Sequence, residues 1–361
     1  MQTPTFEGDC SAATDPYGEG LPGQDVPVID PLVHTIVTTG QNARPVSYRD
    51  FRNRFHTAEV MAVSEAYEYI DQQDGSKFLS RLDACKSRAY FHRHAETGQV
   101  RVISSCCRLR WCPFCAEGRK WRVQEEVKTW LPDAQRPKFL TLTLKHTDQS
   151  LHDQVDHLYK SFQKLRKAKY FKDHVAGGIW FFQVKQSKTD GLWHPHLHCL
   201  LDATFMPRKH LSKMWLKITG TSMVVDIRQV KDEKTMIEYV ARYAAKPGSL
   251  SLMNGDVRVA LIRSLHGRRL VGTWGSARRL SFRTVKPDDS AKWQRLANFT
   301  MVAALYDHDE NARKIFNAWK TNQPLSEPLQ ITSMANISDD HFVRKRIRGK
   351  DCYGQCKFTF M

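Results

Sequence analysis

The sequence predicts an α+β fold in which helices cover one face of an antiparallel sheet. Residues 138–145 alternate apolar and polar side chains, which is the period-two pattern of a half-buried strand. Two more strands, at 179–186 and 196–202, are joined through the turn-forming residues 189–191, and a short turn implies antiparallel pairing. The covering layer is predicted from three segments with helical spacing of apolar residues: 148–172, 207–218 and 234–246.

Composition places the chain among globular proteins with a large core. It has 361 residues, of which 41% are hydrophobic, enough for two domains and too apolar for a disordered chain. No apolar run approaches the ~18 residues of a membrane span. The first residues lack the basic start and apolar core of a secretory signal, so we expect a cytoplasmic protein without membrane partners. In that reducing compartment, nine cysteines indicate metal ligands or free thiols.

The charge balance indicates a polyanionic partner. The chain carries 55 Lys and Arg against 38 Asp and Glu, a formal net charge of +17. Lys and Arg neutralise phosphates and release counterions, so nucleic acid is the leading candidate, and a merely basic surface is the alternative. Residues 1–45 hold six acidic residues and one arginine, a net charge of −5, so the remainder carries +22.

Four regions follow one another along the chain. Residues 1–45, rich in proline and glycine, are predicted to be a disordered acidic tail. Residues 46–135 begin with helical periodicity and continue into cysteine-rich sequence, which predicts a helical, zinc-binding region. Residues 136–285 contain the predicted strands and form the candidate catalytic domain. Residues 286–361 are predicted to be a helical and basic C-terminal region, with helix over 286–320.

The remaining elements have recognisable ends. Apolar residues form a helical stripe within 48–82, ahead of the cysteines. The helix over 148–172 is followed by the breaker Gly177-Gly178. A fourth strand is predicted at 223–230, and the helix after it is stopped by Pro247-Gly248.

A run of alternating histidines is the most informative stretch. His196 and His198 project from the same face of a strand, about 7 Å apart, and can share one cation, which His194 could join. We favour a divalent metal over an ordinary pair of surface or core histidines, because imidazole is a common ligand for transition metals. Gln183 is a candidate third ligand if its strand pairs antiparallel with the histidine strand. Its alternative is an ordinary solvent-facing glutamine.

A helix near residue 240 combines tyrosines with cations. Tyr239, Arg242, Tyr243 and Lys246 have the spacing i, i+3, i+4 and i+7, which places them on one stripe. Cations bind a phosphate and favour an ionised phenol, and a tyrosine oxygen can hold a covalent intermediate. Spacing alone favours neither this chemistry nor an amphipathic helix with two exposed tyrosines.

A cysteine cluster indicates a second metal site. Cys112 and Cys115 have the two-residue separation of a zinc knuckle, and Cys85 and Cys107 would complete a tetrahedral set. Neighbouring cations favour a basic zinc module over a redox pair. Cys106 is the alternative to Cys107, and Cys352 and Cys356 are expected to bind no metal.

These motifs together resemble a known family. Residues 139–143 (Phe-Leu-Thr-Leu-Thr), 194–198 (His-Pro-His-Leu-His) and 239–246, in that order, are similar to the three motifs of the HUH endonucleases that initiate rolling-circle replication of small plasmids. Residues 107–115 resemble the cysteine signature that precedes those motifs in one plasmid initiator family. Residues 264–275 resemble the segment that follows them.

The resemblance implies both fold and chemistry. The fold would be a five-stranded antiparallel sheet, with Mg²⁺ or Mn²⁺ on the strand of His196 and His198. Tyr243 would be the nucleophile, forming a 5′-phosphotyrosine link at a plasmid origin, with Arg242 and Lys246 steadying the phosphate.

The resemblance also implies partners and DNA contacts. The substrate would be single-stranded or hairpin DNA at the origin, and a host helicase and a single-strand-binding protein would act with the initiator. DNA contacts are assigned to basic residues beside the cysteines and after the tyrosine helix: Arg108, Arg110, Arg119, Lys120, Arg122, Arg268 and Arg269.

Two positions depart from the family pattern. Family members often carry a glutamate where Gln183 stands. Many carry a carboxylate four residues before the nucleophile, where this chain has Tyr239. Transfer through a second tyrosine therefore becomes an alternative to termination by activated water.

Two other functions remain open from the sequence. One is a transposase of single-stranded elements, which uses the same chemistry at element ends. The other is a zinc-dependent DNA-binding regulator without catalysis, in which the histidines and tyrosines are structural. Metal-dependent nicking of a supercoiled plasmid separates the regulator from both enzymes.

Overall fold

A computed structural model describes residues 46–145, 147–187, 189–245, 248–282, 292–331 and 356–358, so the predicted tail over 1–45 lies outside it. The helices are α1 Tyr48–Asn53, α2 Thr57–Asp74, α3 Phe78–Asp83, α4 Pro113–Trp130, α5 Leu151–Lys167, α6 Lys169–His174, α7 Arg208–Thr219, α8 Glu233–Ala245, α9 Gly255–Leu265, α10 Phe299–Leu305 and α11 Glu310–Lys320. The strands are β1 Ala89–His94, β2 Val100–Ser104, β3 Pro137–Thr143, β4 Val175–Gln186, β5 Trp193–Ala203, β6 Val225–Gln229, β7 Val271–Gly275, β8 Trp293–Asn298 and β9 Cys356–Phe358.

The larger sheet has five strands in the order β6-β3-β5-β4-β7, and every neighbouring pair is antiparallel. This confirms the α+β class and the five-stranded antiparallel sheet. β4 and β5 are its longest strands and form a hairpin in which Gln183 lies opposite His196, and Phe181 opposite His198. Thr141 of β3 lies opposite His198 on its other side. The register therefore gathers polar groups from three strands at one level of the sheet.

Helices cover both faces of this sheet. Phe139 and Leu200 pack on one face with residues of α4 and α8. Phe182 and Leu197 pack on the other with residues of α5 and α7. The prediction of helices on one face is wrong because β4 is apolar on both of its faces. Residues 179–182 are all buried, and a strand with apolar side chains on both sides needs two covering layers.

A second antiparallel sheet, in the order β8-β1-β2-β9, joins segments that are far apart in the chain. One of its faces packs on α1, α10 and α11 around a separate core. Aromatic rings dominate that core: Phe51, Phe91, Phe299, Phe316 and Trp319. The cysteine-rich region and the C-terminal region are thus held together by shared strands.

The prediction of helix throughout 286–320 is wrong at β8. Trp293–Asn298 is a strand, and the two helices of this region begin only at Phe299 and Glu310. Asn298 ends the strand and caps the next helix, because its side chain accepts a hydrogen bond from the backbone N–H of Met301. β8 owes its conformation to pairing with β1, which local periodicity does not report.

α5 is an amphipathic helix with well-defined ends. α5 buries Val155 and Leu158 on one side and carries cations in its last turn, where they complement the helix dipole. Ser150 caps its start by accepting a hydrogen bond from the N–H of Asp153. Within the part of the chain that the structure describes, no helix has the length and apolar character needed to cross a bilayer.

Candidate active site

Three side chains from two neighbouring strands meet on the sheet face that α8 covers. Oε1 of Gln183 lies 2.9 Å from Nε2 of His198 and also contacts Nε2 of His196. The two imidazole rings stand edge to face, with centroids 4.9 Å apart. Both histidines are buried and Gln183 is half-buried. The structure thus brings together the three side chains that the sequence grouped.

Each histidine ring has a hydrogen-bond partner behind its Nδ1 atom. Nδ1 of His196 lies 3.0 Å from the backbone carbonyl oxygen of His194, which only accepts hydrogen bonds, so this Nδ1 carries the hydrogen. Nδ1 of His198 lies 3.1 Å from Oγ1 of Thr141, a hydroxyl that accepts when this Nδ1 carries the hydrogen and donates when it does not. In the tautomer with the hydrogen on both Nδ1 atoms, both Nε2 atoms present lone pairs toward the carbonyl oxygen of Gln183. Three converging acceptor atoms fit a divalent cation.

Burial keeps both histidines neutral. Desolvation, with the nearby charge of Lys185 as a smaller cause, lowers the pKa of His196 to about 4 and that of His198 to about 3. Neutral imidazole is the form that ligates metals, so no proton has to leave either ring at neutral pH.

Three residues of the site were not predicted from the sequence. Thr141 orients His198, and Phe139 stacks on the His198 ring with centroids 5.3 Å apart and planes 18° apart. Both belong to the strand at 139–143, and period-two alternation places them on one face, so the signal was present. Lys185 follows Gln183 by two positions and shares its face for the same reason.

His194 contributes its backbone carbonyl to this site. In the described residues, the four-cysteine cluster is the only group of three or more His, Cys, Asp or Glu side chains whose donor atoms lie close enough to share an ion. The three alternating histidines therefore do not converge. The third donor beside His196 and His198 is the amide oxygen of Gln183.

α8 carries Tyr239 over the same face of the sheet. Its ring packs edge-on against Phe139 and His198, with centroids 5.4 and 6.1 Å away. Tyr239 is half-buried. One of the two predicted tyrosines therefore lies directly beside a histidine of the donor set.

The C-terminal half of α8 runs toward the glutamine side of the site. Tyr243 lies one turn after Tyr239, so the two positions share a helix face. Beyond the helix, a Cβ built at Gly248 would lie 3.5 Å from the backbone carbonyl oxygen of Val184, the neighbour of Gln183. Helix position 243 thus lies between Tyr239, which contacts His198, and Gly248, which approaches Val184 of β4. The side chain of Tyr243 and all of Lys246 lie outside the described part, and Arg242 is exposed.

Four cysteines from three segments form a compact buried cluster. The sulfur atoms of Cys85, Cys107, Cys112 and Cys115 all lie within 4.8 Å of one another. Cys85 follows α3, Cys107 follows β2, and the other two open α4. Four cysteine sulfurs at this separation fit a tetrahedral zinc ion. They are the four that the sequence predicted.

A fifth buried cysteine adjoins this cluster. Sγ of Cys106 lies 3.1 Å from Sγ of Cys115. Hydrogen bonds with Cys106 and Cys107 lower the pKa of Cys115, whereas the hydrogen bond with Cys112 raises the pKa of Cys107. Packed thiols cannot all ionise unless a cation compensates their charge. The thiol set is therefore suited to a metal. Cys352 and the side chain of Cys356 lie outside the described residues.

The predicted DNA-contacting cations differ in accessibility. Arg119 donates hydrogen bonds to the carbonyl oxygens of Leu109 and Arg110. Arg268 pairs with Asp156. Both therefore hold the fold together. The others are more accessible: Arg108, Lys120 and Arg269 are exposed, and Arg110 and Arg122 are half-buried.

Fold and site together define an α+β protein with a histidine–glutamine donor set beneath a tyrosine-bearing helix. It also has a buried four-cysteine cluster. The family model described as Replication protein (Rep_1) matches residues 100–325, more than half of the chain. The chain belongs to this replication protein family. The matched residues include the donor set, the tyrosines and all of the cysteine cluster except Cys85.

Three curated relatives each match about half of the chain. "Protein rep" of Bacillus amyloliquefaciens is 28% identical over 204 residues, 51% of this chain and 59% of that protein. "Protein rep" of a Bacillus species is 25% identical over 220 residues, 55% of this chain and 68% of that protein. "Protein rep" of Lactiplantibacillus plantarum is 25% identical over 186 residues, 44% and 59% of the two chains. The match thus spans less than two thirds of the first of these proteins. No solved structure matches the chain.

Proposed function

We propose that the protein starts rolling-circle replication of a plasmid by nicking and rejoining one DNA strand at the origin. One observation carries this proposal: Gln183, His196 and His198 converge on the sheet face over which α8 carries Tyr239, and helix position 243 follows one turn later. Membership of the replication protein family supports it, as do relatives named "Protein rep".

The proposed reaction is a transesterification at phosphorus. The phenolic oxygen of Tyr243 attacks the scissile phosphate, its proton leaves to solvent, and the bond from phosphorus to the 3′ oxygen breaks. The products are a 5′-phosphotyrosine and a 3′-hydroxyl that primes synthesis. One phosphodiester replaces another, so a later 3′-hydroxyl can reverse the step and close the circle without ATP.

His196, His198 and Gln183 would hold Mg²⁺ or Mn²⁺, with imidazole ligands favouring Mn²⁺. When bound, such an ion polarises the scissile phosphate and offsets the charge of the transition state. The chain's own residues supply orientation: the carbonyl of His194 and the hydroxyl of Thr141 hold the two rings in place. Arg242 and Lys246 are assigned to the phosphate.

Tyr239 is proposed to act in the second strand transfer. It occupies the position at which the resembling family often carries a carboxylate, and its ring lies against His198. The Tyr239 phenol can attack the phosphodiester of the regenerated origin, which breaks the bond from phosphorus to the 3′ oxygen. The freed 3′-hydroxyl then attacks the Tyr243 phosphotyrosine, which closes the circle and releases the Tyr243 phenol. Rejoining would then pass from one tyrosine to the other.

The cysteine cluster is proposed to hold zinc and to position DNA-binding residues. It ties the start of α4 to the ends of α3 and β2, so Arg108 and Lys120 are carried on a metal-fixed segment. A host helicase and a single-strand-binding protein would then act on the nicked origin. DNA is the partner that the net charge of +17 favours.

Nicking of a supercoiled origin plasmid tests the proposal. We expect wild-type protein with manganese to relax the plasmid and leave protein on the 5′ end. Tyr239→Phe should still form this adduct, whereas Tyr243→Phe and His198→Ala should form none.

Chelation and DNA binding serve as controls for this assay. The chelated wild-type protein should not nick, while His198→Ala should still bind DNA because binding rests on dispersed cations. Nicking at full rate after chelation contradicts the metal assignment. Equal loss of binding and nicking in His198→Ala shows that the histidines are structural.

A further inference from the structure

The second sheet presents a row of cationic and aromatic side chains on the face opposite its core. Along β1, Tyr90, His92 and His94 alternate with residues that point into that core. The strand register places His92 between Arg101 of β2 and Arg295 of β8. Together with Trp293, opposite His94, these six residues are called here the basic face.

Aromatic rings hold the guanidinium groups of this face. The Arg101 guanidinium lies 3.5 Å from the ring centroid of Trp293, and that of Arg295 lies 3.9 Å from the ring centroid of Tyr90. His94 contacts the Trp293 ring edge-on, with centroids 4.9 Å apart. Cation–π contacts of this kind fix the position of a guanidinium group at low entropic cost. Planar groups are therefore arranged side by side on a sheet.

Charge on these strands has one sign. The basic face contains the cations Arg101 and Arg295, and β1, β2 and β8 contain no Asp or Glu. The carboxylate of Glu96, beyond the end of β1, is paired with Lys292. Burial and the two neighbouring arginines lower the pKa of His92 to about 4, as expected in a strongly cationic setting. The face is complementary to a polyanion.

We propose that the basic face binds single-stranded DNA, with bases stacking on Trp293 and on the Arg295–Tyr90 pair. Arg295 is exposed and can also meet a phosphate, whereas Arg101 is only 2% exposed and supports Trp293 from below. Stacking needs open base faces, which single strands offer and duplexes bury. The inference rests on the proposed function in one respect only: nicking of the origin would supply the single strand that the basic face binds.

Substitutions at Arg295 test this proposal because the side chain is exposed and outside the core. Binding of a labelled oligothymidylate of about 16 nucleotides is measured by fluorescence anisotropy. We expect Arg295→Glu to weaken binding about tenfold, and Arg295→Lys, which keeps the charge but loses the plane, to weaken it about fivefold. The matched control is Lys213→Glu, an equal charge reversal at an exposed position of α7, which should change the affinity less than about twofold.

The outcomes separate this inference from the proposed function. Equal weakening by Arg295→Glu and Lys213→Glu overturns the site, since general charge alone would explain it. A larger effect of Arg295→Glu on a duplex than on the single strand overturns it in favour of duplex docking. Failure of wild-type protein to form a covalent adduct with origin DNA contradicts the nicking proposal, and the affinity contrast at Arg295 stands without it.

Discussion

Each histidine of the donor set is oriented by an atom on the far side of its ring. The His194 carbonyl and the Thr141 hydroxyl both face an Nδ1 atom, so both Nε2 atoms are directed at Gln183. These contacts arise from strand alternation and from the register between β3, β4 and β5. The alternation of histidines in the sequence predicted that His196 and His198 share a face. Whether Gln183 lies opposite them depends on the register between β4 and β5, which the turn between these strands sets.

At this scale, Gln183→Glu should strengthen the metal site. A carboxylate replaces a neutral amide oxygen at the same position and adds one negative charge to the donor set. We expect nicking to reach half its maximal rate at a lower manganese concentration than in the wild type. Gln183→Leu, which offers no donor, should need a higher concentration. If Gln183→Glu instead requires more manganese than Gln183→Leu, then Gln183 does not ligate the ion.

The cysteine cluster ties three elements into one unit, since Cys85, Cys107 and the pair at the start of α4 come from separate segments. Cys112→Ser should remove the zinc equivalent and expose the start of α4, because metal affinity is folding energy in such modules. The matched substitution Cys106→Ser changes a neighbouring buried thiol outside the group of four and should keep about one equivalent of zinc. Elemental analysis and thermal unfolding measure both. If Cys112→Ser retains zinc and Cys106→Ser loses it, then Cys106 and not Cys112 is a zinc ligand.

A single glutamate anchors the turn that follows α8. The carboxylate of Glu59 on α2 accepts hydrogen bonds from the hydroxyl of Ser249 and from the backbone N–H groups of Leu250 and Ser251. Glu59 is buried. The end of the tyrosine helix is thus positioned by an element that lies far away in the sequence.

Glu59→Gln should therefore lower the free energy of unfolding by about 1–3 kcal/mol, because buried backbone donors lose a charged acceptor. Glu65→Gln on the same helix is the control. Glu65 pairs with Arg258 and its side chain is 62% exposed, so its loss should cost less than about 1 kcal/mol. Urea unfolding measures both variants. Equal losses of unfolding free energy in Glu59→Gln and Glu65→Gln would show that the hydrogen bonds of Glu59 do not stabilise the fold more than an exposed ion pair does.

The elements that the sequence predicted are those with strong local periodicity. The strand at 138–145 corresponds to β3 within a few residues. The helix predicted at 148–172 is two helices, α5 and α6, separated at Ala168, where the backbone is extended. β8 was missed because Trp-Gln-Arg-Leu-Ala-Asn does not alternate and runs straight into an apolar helix. Its strand conformation comes from pairing with β1.

At the scale of the whole molecule, the second core is built from two segments that are far apart in the sequence, and the five-stranded sheet lies between them along the chain. The five-stranded sheet has its own two layers, while the second core combines α1, β1 and β2 with β8, α10 and α11. No local pattern could predict this pairing, since it depends on tertiary contacts between distant segments. Phe91 stacks on Phe299 with centroids 5.3 Å apart and planes 18° apart.

Truncation after residue 282 should therefore unfold part of the N-terminal half. It removes β8, α10 and α11, which takes the aromatic partners Phe299 and Trp319 from Phe91, and Phe299 from Phe51. We expect amide hydrogen exchange to become fast in β1 and β2 and to stay slow in β3, β4 and β5. Unchanged protection of β1 and β2 would show that the second core does not depend on the C-terminal segment.

The most direct test of the central claim is to identify the residue that becomes linked to DNA. Wild-type protein is incubated with manganese and an origin single strand, the adduct is digested with protease and nuclease, and the modified peptide is sequenced by mass spectrometry. We predict one nucleotide-bearing peptide, modified at Tyr243 and absent when Tyr243→Phe protein is used. A first adduct on Tyr239, or no adduct on either tyrosine, would contradict the assignment of Tyr243 as the nucleophile.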